Sequence, residues 1–137
     1  MGNGIKRILS IFQFAWRLFL FRNKFEKPDI ILQNIHAPFD FPVVWAAKRL
    51  KSRYIAEAWD LWPNSFVRFG LISAKSLMVK FAYGVEKKMY ENASDIIFTF
   101  EGGIDYLRWH KWTTETRGKI DPQKVHYINN GILLKEF

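Results

Sequence analysis

In "AEAWDLWPNSF", Ala56 to Phe66, the carboxylate of Asp60 stands between two tryptophans, Trp59 and Trp62, and Pro63, Asn64 and Ser65 follow at once. A flat aromatic ring beside a carboxylate suits a sugar: the ring covers the apolar C–H face, and the carboxylate accepts hydroxyl hydrogens. The alternative is structural, with both tryptophans in the core and Asp60 accepting loop N–H groups; the residues alone leave the two readings level. A second polar pair, Glu101 and Gly102, opens "EGGIDYLRWH". Glycine at 102 admits close backbone approach, so its amide can meet a ligand oxygen. For Glu101 the competing role is a carboxylate at a helix start. Asn130 and Gly131 read as a turn, with a ligand role as the alternative. No pair among His36, His110 and His126 has metal-ligand spacing, and no cysteine is present, so no metal site is expected. The lack of cysteine also removes disulfides and points to a reducing compartment. No Ser-His-Asp order or nucleophile-elbow motif is visible.

The elements that must position these groups follow from the apolar runs. Asp29–Ile35, Tyr54–Ala58, Asp95–Phe100 and Val125–Ile128 have strand length and strand composition. Between the first two, "APFDFPVVWAAKRLKSR" reads as a helix, with Pro42 in its first turn and Asp40 as its cap. Lys48, Arg49, Lys51 and Arg53 crowd its end, where cations suit the helix dipole. Asn64 or Ser65 is the expected cap of a further helical turn. From Ala74 to Asn92, Leu77, Phe81, Val85 and Met89 recur at every fourth position, which predicts a long helix. Gly84 weakens that helix by about 1 kcal/mol relative to alanine, and a close backbone contact would explain it. Strands alternating with helices predict an α/β fold, a parallel sheet with crossover helices. Ligands in such sheets bind beyond the carboxyl ends of the strands. Trp59–Asp60, Glu101–Gly102 and Asn130 are therefore expected along one edge.

The chain of 137 residues is 49% hydrophobic and 18% aromatic, enough for one domain with a real core and too apolar for a disordered chain. Its net charge of +8 favours anionic partners: nucleic acid, acidic lipid head groups or phosphorylated substrates. Nucleic acid is set aside, because the basic residues are scattered and the tryptophans follow apolar patterning. Residues 1–26 form a separate basic segment. Across Ile5–Phe25, Lys6, Ser10, Gln13, Arg17 and Lys24 fall on one helical stripe and nearly everything else is apolar. Gln13 and Arg17 interrupt the run before it reaches bilayer length. Two roles remain open for this helix: packing on the sheet, or lying on an anionic membrane surface with Lys6, Arg7, Arg17 and Arg22 near head groups.

Residues 27–137 carry a resemblance. "EAWDLWPNS" resembles the E-x-R-D-L-W-P-x-S signature of family-four glycosyltransferases, in the branch that builds bacterial surface polysaccharides. "ASDIIFTFEGGIDYL" is similar to that family's A-D-x-I-x-x-x-S-x-G-x-x-x-x-L segment, and "DPQKVHYINNGILLKEF" to its D-P-x-K-I-x-V-I-P-N-G-V-D-x-x-x-F. The chain departs from those patterns at Trp59, where the branch carries arginine, and at Phe100, Asn129 and Leu133.

The resemblance implies the N-terminal, acceptor-binding lobe of a two-lobed Rossmann-like fold, here an incomplete parallel sheet. The family's opening strands and glycine-rich loop are expected before Ile5, and its donor-binding lobe after Phe137. The function implied is retaining transfer of a sugar, without a metal or other cofactor, from a nucleotide-sugar donor to a lipid-linked or polysaccharide acceptor. Asp60 would be the cleft-facing carboxylate. Trp59, Trp62, Pro63, Ser65, Glu101 and Gly102 would line the acceptor site, and Asn130–Gly131 would close the lobe. The expected partners are a donor-binding lobe, a lipid-linked glycan and an anionic membrane surface, at the cytoplasmic face of the plasma membrane. The alternative is a non-catalytic module that docks with a separately encoded donor lobe.

Overall fold

The computed structural model describes residues 3–24, 26–129 and 131. Four strands form one sheet in the order β1 (Ile30–Asn34), β2 (Arg53–Ala58), β3 (Asp95–Phe98) and β4 (Val125–Tyr127), and every pairing is parallel. Ile31 pairs with Tyr54, Ala56 with Ile96, and Phe98 with Tyr127. The α/β architecture expected from the alternating pattern is therefore present.

The helices are α1 (Asn3–Phe21), α2 (Pro42–Leu50), α3 (Asn64–Arg68), α4 (Leu77–Asn92) and α5 (Gly103–Trp109). Each strand steps to its neighbour in the same direction, so crossovers of one hand set their helices on one face of the sheet. Burial agrees. Tyr54, Ala56, Ala58, Ile96 and Phe98 point into the helical layer and are buried, together with Val43, Val44, Met89, Tyr90 and Leu107 from the helices. Ala15 and Leu18 of α1 join this core beside α2. The opposite face is barer: Ile30 and Leu32 are exposed, and Ile55 and Ile97 are only partly covered. There Asp95 accepts hydrogen bonds from Arg53 Nη2 at 2.6 Å and pairs with His126 Nε2 at 3.1 Å. Hydrogen bonding to these two side chains, Arg53 above all, holds its carboxyl below its ordinary value.

Buried polar groups tie the layers together. Glu86 of α4 is wholly buried, and its Oε2 accepts a 2.7 Å bond from the Tyr106 hydroxyl of α5. Lys124 donates to the carbonyls of Tyr90 and Ala93 at the end of α4, at 3.0 and 2.9 Å, where a cation suits the helix C-terminus.

Several local expectations are corrected. Residue 40 does not cap α2: the helical backbone already includes Phe41, and the Asp40 carboxylate turns back to accept the amide of His36. Neither Asn64 nor Ser65 caps α3, since Asn64 Oδ1 accepts the hydroxyl of Tyr83 at 3.1 Å and Pro63 holds the cap position. Helix α4 starts at Leu77, three residues later than expected, because Ser73–Ser76 form a turn. Gly84 makes no close contact: nothing lies within 4 Å of where a Cβ would sit.

Candidate functional site

Because β2 and β3 are parallel neighbours, the loops that leave them emerge side by side. The β2 loop carries Trp59 to Pro63 into α3, and the β3 loop carries Thr99 to Gly102 into α5. Between them opens a cleft of about 630 Å³, lined by Leu61, Asn64, Val67, Arg68, Phe100, Glu101, Gly102, Asp105, Tyr106 and Trp109. Its size and its place at the carboxyl ends of parallel strands are those of ligand sites in open α/β sheets.

Glu101 and Gly102 meet the expectation of a strand-end position and both line the cleft. Gly102 has φ +83°, a left-handed conformation that turns the chain from β3 into α5. Nothing crowds its missing Cβ, so conformation rather than close packing requires glycine there. Glu101 is exposed, and α5 begins without a side-chain cap, which removes the capping role weighed for this carboxylate.

Trp59 and Asp60 also stand at this edge but beyond the cleft wall. Trp59 is 56% exposed, so it is not a core residue. Asp60 is exposed too, and among the described residues its carboxylate has no hydrogen-bond or ion-pair partner. The bland role for Asp60, satisfying loop amides, therefore has no support in the geometry. Trp62 turns the other way. Its half-buried ring lies edge-on between His36, at 5.5 Å, and Phe66, at 4.6 Å, and Pro63 beside it is buried. Ser65 is half-buried and donates its amide to Leu61 O at 2.7 Å. Gly131 is exposed beyond β4, and Asn130 lies outside the described residues.

The cleft also contains polar or aromatic groups that the sequence reading did not place at a ligand site: Asn64, expected there only as a helix cap, Arg68, Asp105, Tyr106 and Trp109. Trp109 is 72% exposed, and Asp105 precedes it by four residues, so ring and carboxylate share a face of α5. That spacing was legible in "GIDYLRW". Asp105 also receives Arg108 Nη1 at 3.2 Å.

A second polar group forms at the end of β1. Tyr54 donates its hydroxyl to Gln33 Oε1 at 2.9 Å, Gln33 Nε2 donates to Asp40 O at 3.3 Å, and His36 Nδ1 lies 3.6 Å from Asp40 Oδ2. Burial, reinforced by the Asp40 charge, pushes the Tyr54 hydroxyl well above its ordinary value, so it keeps the proton that it donates to Gln33. Nothing in the sequence tied Asp40 to His36 except the four-residue spacing.

Among the described residues no group of three or more acidic or histidine side chains is placed to hold a metal ion, and no helix is long and apolar enough to cross a membrane. Comparison of the chain with family models, with curated proteins and with solved structures finds no match.

Proposed function

We propose that this domain is the acceptor-binding lobe of a retaining glycosyltransferase, acting on a lipid-linked diphosphate sugar at the cytoplasmic face of the membrane. The observation that carries the reading is the strand-end cleft, which combines an exposed ring, Trp109, with the carboxylates Glu101 and Asp105, the amide Asn64 and the cation Arg68. Ring and carboxylates are the groups that hold a sugar, and a guanidinium matches a phosphate by paired hydrogen bonds. The Trp-Pro signature across Glu57–Ser65 and the parallel sheet support the same reading.

In such a transfer the acceptor hydroxyl oxygen bonds to the anomeric carbon while the bond from that carbon to the donor phosphate breaks. The leaving phosphate takes the hydroxyl proton, so no side chain of this lobe has to act as the base. Glu101 in the cleft, and Asp60 on the same sheet edge just beyond its wall, would accept acceptor hydroxyl hydrogens and help fix the attacking oxygen, which is the positioning part of catalysis. The donor would be held by a second lobe, on the same polypeptide or on another. The barely covered sheet face at Ile30 and Leu32 favours further polypeptide packed against this domain, since all-parallel sheets are usually covered on both faces.

The test is titration of tryptophan emission with a short-chain polyprenyl-diphosphate sugar. Saturable binding is expected, weakened about tenfold or more by Arg68→Ala, the worth of a charged hydrogen bond. Asp60→Ala should lower affinity with the fold intact. Unchanged emission at saturating ligand sinks the reading, and unchanged affinity in Asp60→Ala returns that residue to a surface role.

A further inference from the structure

The outer surface of the helical layer is aromatic and cationic at once. Phe12 stacks on Trp16 at 6.2 Å and Trp16 on Phe19 at 5.8 Å along α1. Trp45 of α2 then meets Trp16, Phe19 and Phe41 at 6.1, 5.8 and 5.4 Å. Phe41 in turn shares a shallow apolar depression with Phe81 and Val85 of α4, bordered by Lys88. The rings of α1 and α2 pack on one another, Phe81 lines the adjoining depression, and all still face water: Trp16 is 40% exposed, Trp45 43% and Phe81 65%. Single exposed apolar residues need no explanation, but a continuous run across three helices marks an interaction surface.

The charge beside this run has one sign. On α2, Lys48 and Arg49 are exposed one turn beyond Trp45, and on α1, Lys6 and Arg17 face solvent about a quarter-turn around the helix from Trp16. Neither Asn3–Phe21 nor Pro42–Leu50 contains an aspartate or glutamate. On α4, Glu86 is buried and Glu91 is paired with Lys87 and Lys88.

We propose that this three-helix surface lies on an anionic bilayer, with Trp16, Trp45 and Phe81 at head-group depth and the surrounding lysines and arginines on lipid phosphates. Tryptophan is favoured at that depth, and long basic side chains reach past apolar neighbours to the head groups. A basic amphipathic surface of this kind rests in the interface without spanning it. A second copy of the chain is the poorer occupant, because a two-fold contact would set this cationic surface against itself. None of these residues lines the strand-end cleft, so the inference stands without the sugar-transfer reading.

The experiment is co-sedimentation of the full chain with phosphatidylcholine vesicles and with equal mixtures of phosphatidylcholine and phosphatidylglycerol. Binding is expected to the mixed vesicles only, with a blue shift of tryptophan emission and with weakening as salt rises. The double variant Trp45→Glu, Phe81→Glu should lower partitioning about tenfold or more, since one large ring is worth that much when withdrawn from water. Both sites are exposed, so circular dichroism should not change. If that variant misfolds, Lys48→Glu with Arg49→Glu should give the same loss. Wild-type binding by a folded variant, equal binding to neutral vesicles, or self-association without vesicle binding would each overturn the proposal.

Discussion

Replacing Glu86 by glutamine removes a single titrating proton from the centre of the helical layer. Glu86 is fully buried, its Oε2 holds the Tyr106 hydroxyl at 2.7 Å, and its Oε1 has no partner. Burial is the dominant influence and raises the carboxyl well above its ordinary 4.5, while Tyr106 and Tyr90 oppose the shift more weakly. Tyr90 is close enough to act on the charge, although its hydroxyl and Glu86 Oε1 do not meet hydrogen-bond geometry.

The sign follows from which state keeps the proton. Above pH 4.5 the unfolded chain ionises at this residue and the folded chain does not, so unfolding releases a proton. The stability this group contributes is complete below pH 4.5 and is lost as the pH rises toward the folded value, at about 1.4 kcal/mol for each pH unit crossed. His110 runs the other way: burial lowers it, so its contribution grows as the pH rises toward 6.5. Comparing wild type with Glu86→Gln in the same buffers cancels that term. Glutamine keeps an acceptor for Tyr106 and can donate toward Tyr90. Urea unfolding at stepped pH values above 4.5 should show the variant gaining on the wild type as the pH rises, at up to about 1.4 kcal/mol per unit while the folded carboxyl stays protonated. Parallel curves across the series would refute a neutral buried Glu86, since only the slope of the difference reports the proton.

Further outcomes follow from packing. Trp62→Ala should lose about 2 kcal/mol, less than a fully buried tryptophan, because its ring is only half-covered by His36 and Phe66; Trp59→Ala should change unfolding stability by no more than about 0.5 kcal/mol. At Gly103 a Cβ would lie 2.1 Å from Phe98 Cγ, inside the core, so Gly103→Ala should lower the urea midpoint by the equivalent of about 1–3 kcal/mol or more.

The strands were legible because they are short, apolar and bounded by turn residues, and their order fixed the parallel sheet. Strand ends shifted by a residue or two: Asp29–Ile35 became Ile30–Asn34, and Asp95–Phe100 became Asp95–Phe98. Facing was harder to read. Leu77, Phe81, Val85 and Met89 do mark a helix, but a four-residue step overshoots the 3.6-residue turn and drifts around it. Met89 is buried while Leu77 is 81% exposed and Phe81 65%. Continuous apolar runs such as Ile30–Leu32 are usual in strands covered on both faces, yet among the described residues only one face carries helices. The polar contacts at the end of β1 were the least legible part, because a His36–Asp40 contact depends on how a loop folds back and not on helical or strand periodicity.

The same limit governs the aromatic–carboxylate pair on which the function rests. Trp59 and Asp60 are adjacent in the bend that follows β2, and the Trp59 ring lies outside the cleft lining. Asp105 and Trp109 are four apart on a helix and point the same way, and Glu101 meets them from the loop across the cleft. In the proposed acceptor site the stacking ring should therefore be Trp109. Trp109→Ala should weaken binding of the polyprenyl-diphosphate sugar about tenfold, in line with the loss of one aromatic contact, while Trp59→Ala changes it little. Both rings are exposed, so neither variant should unfold, and circular dichroism would check that. Equal losses from the two variants would put both rings on the ligand, and a larger loss from Trp59→Ala would move the site back to the β2 loop and away from the cleft.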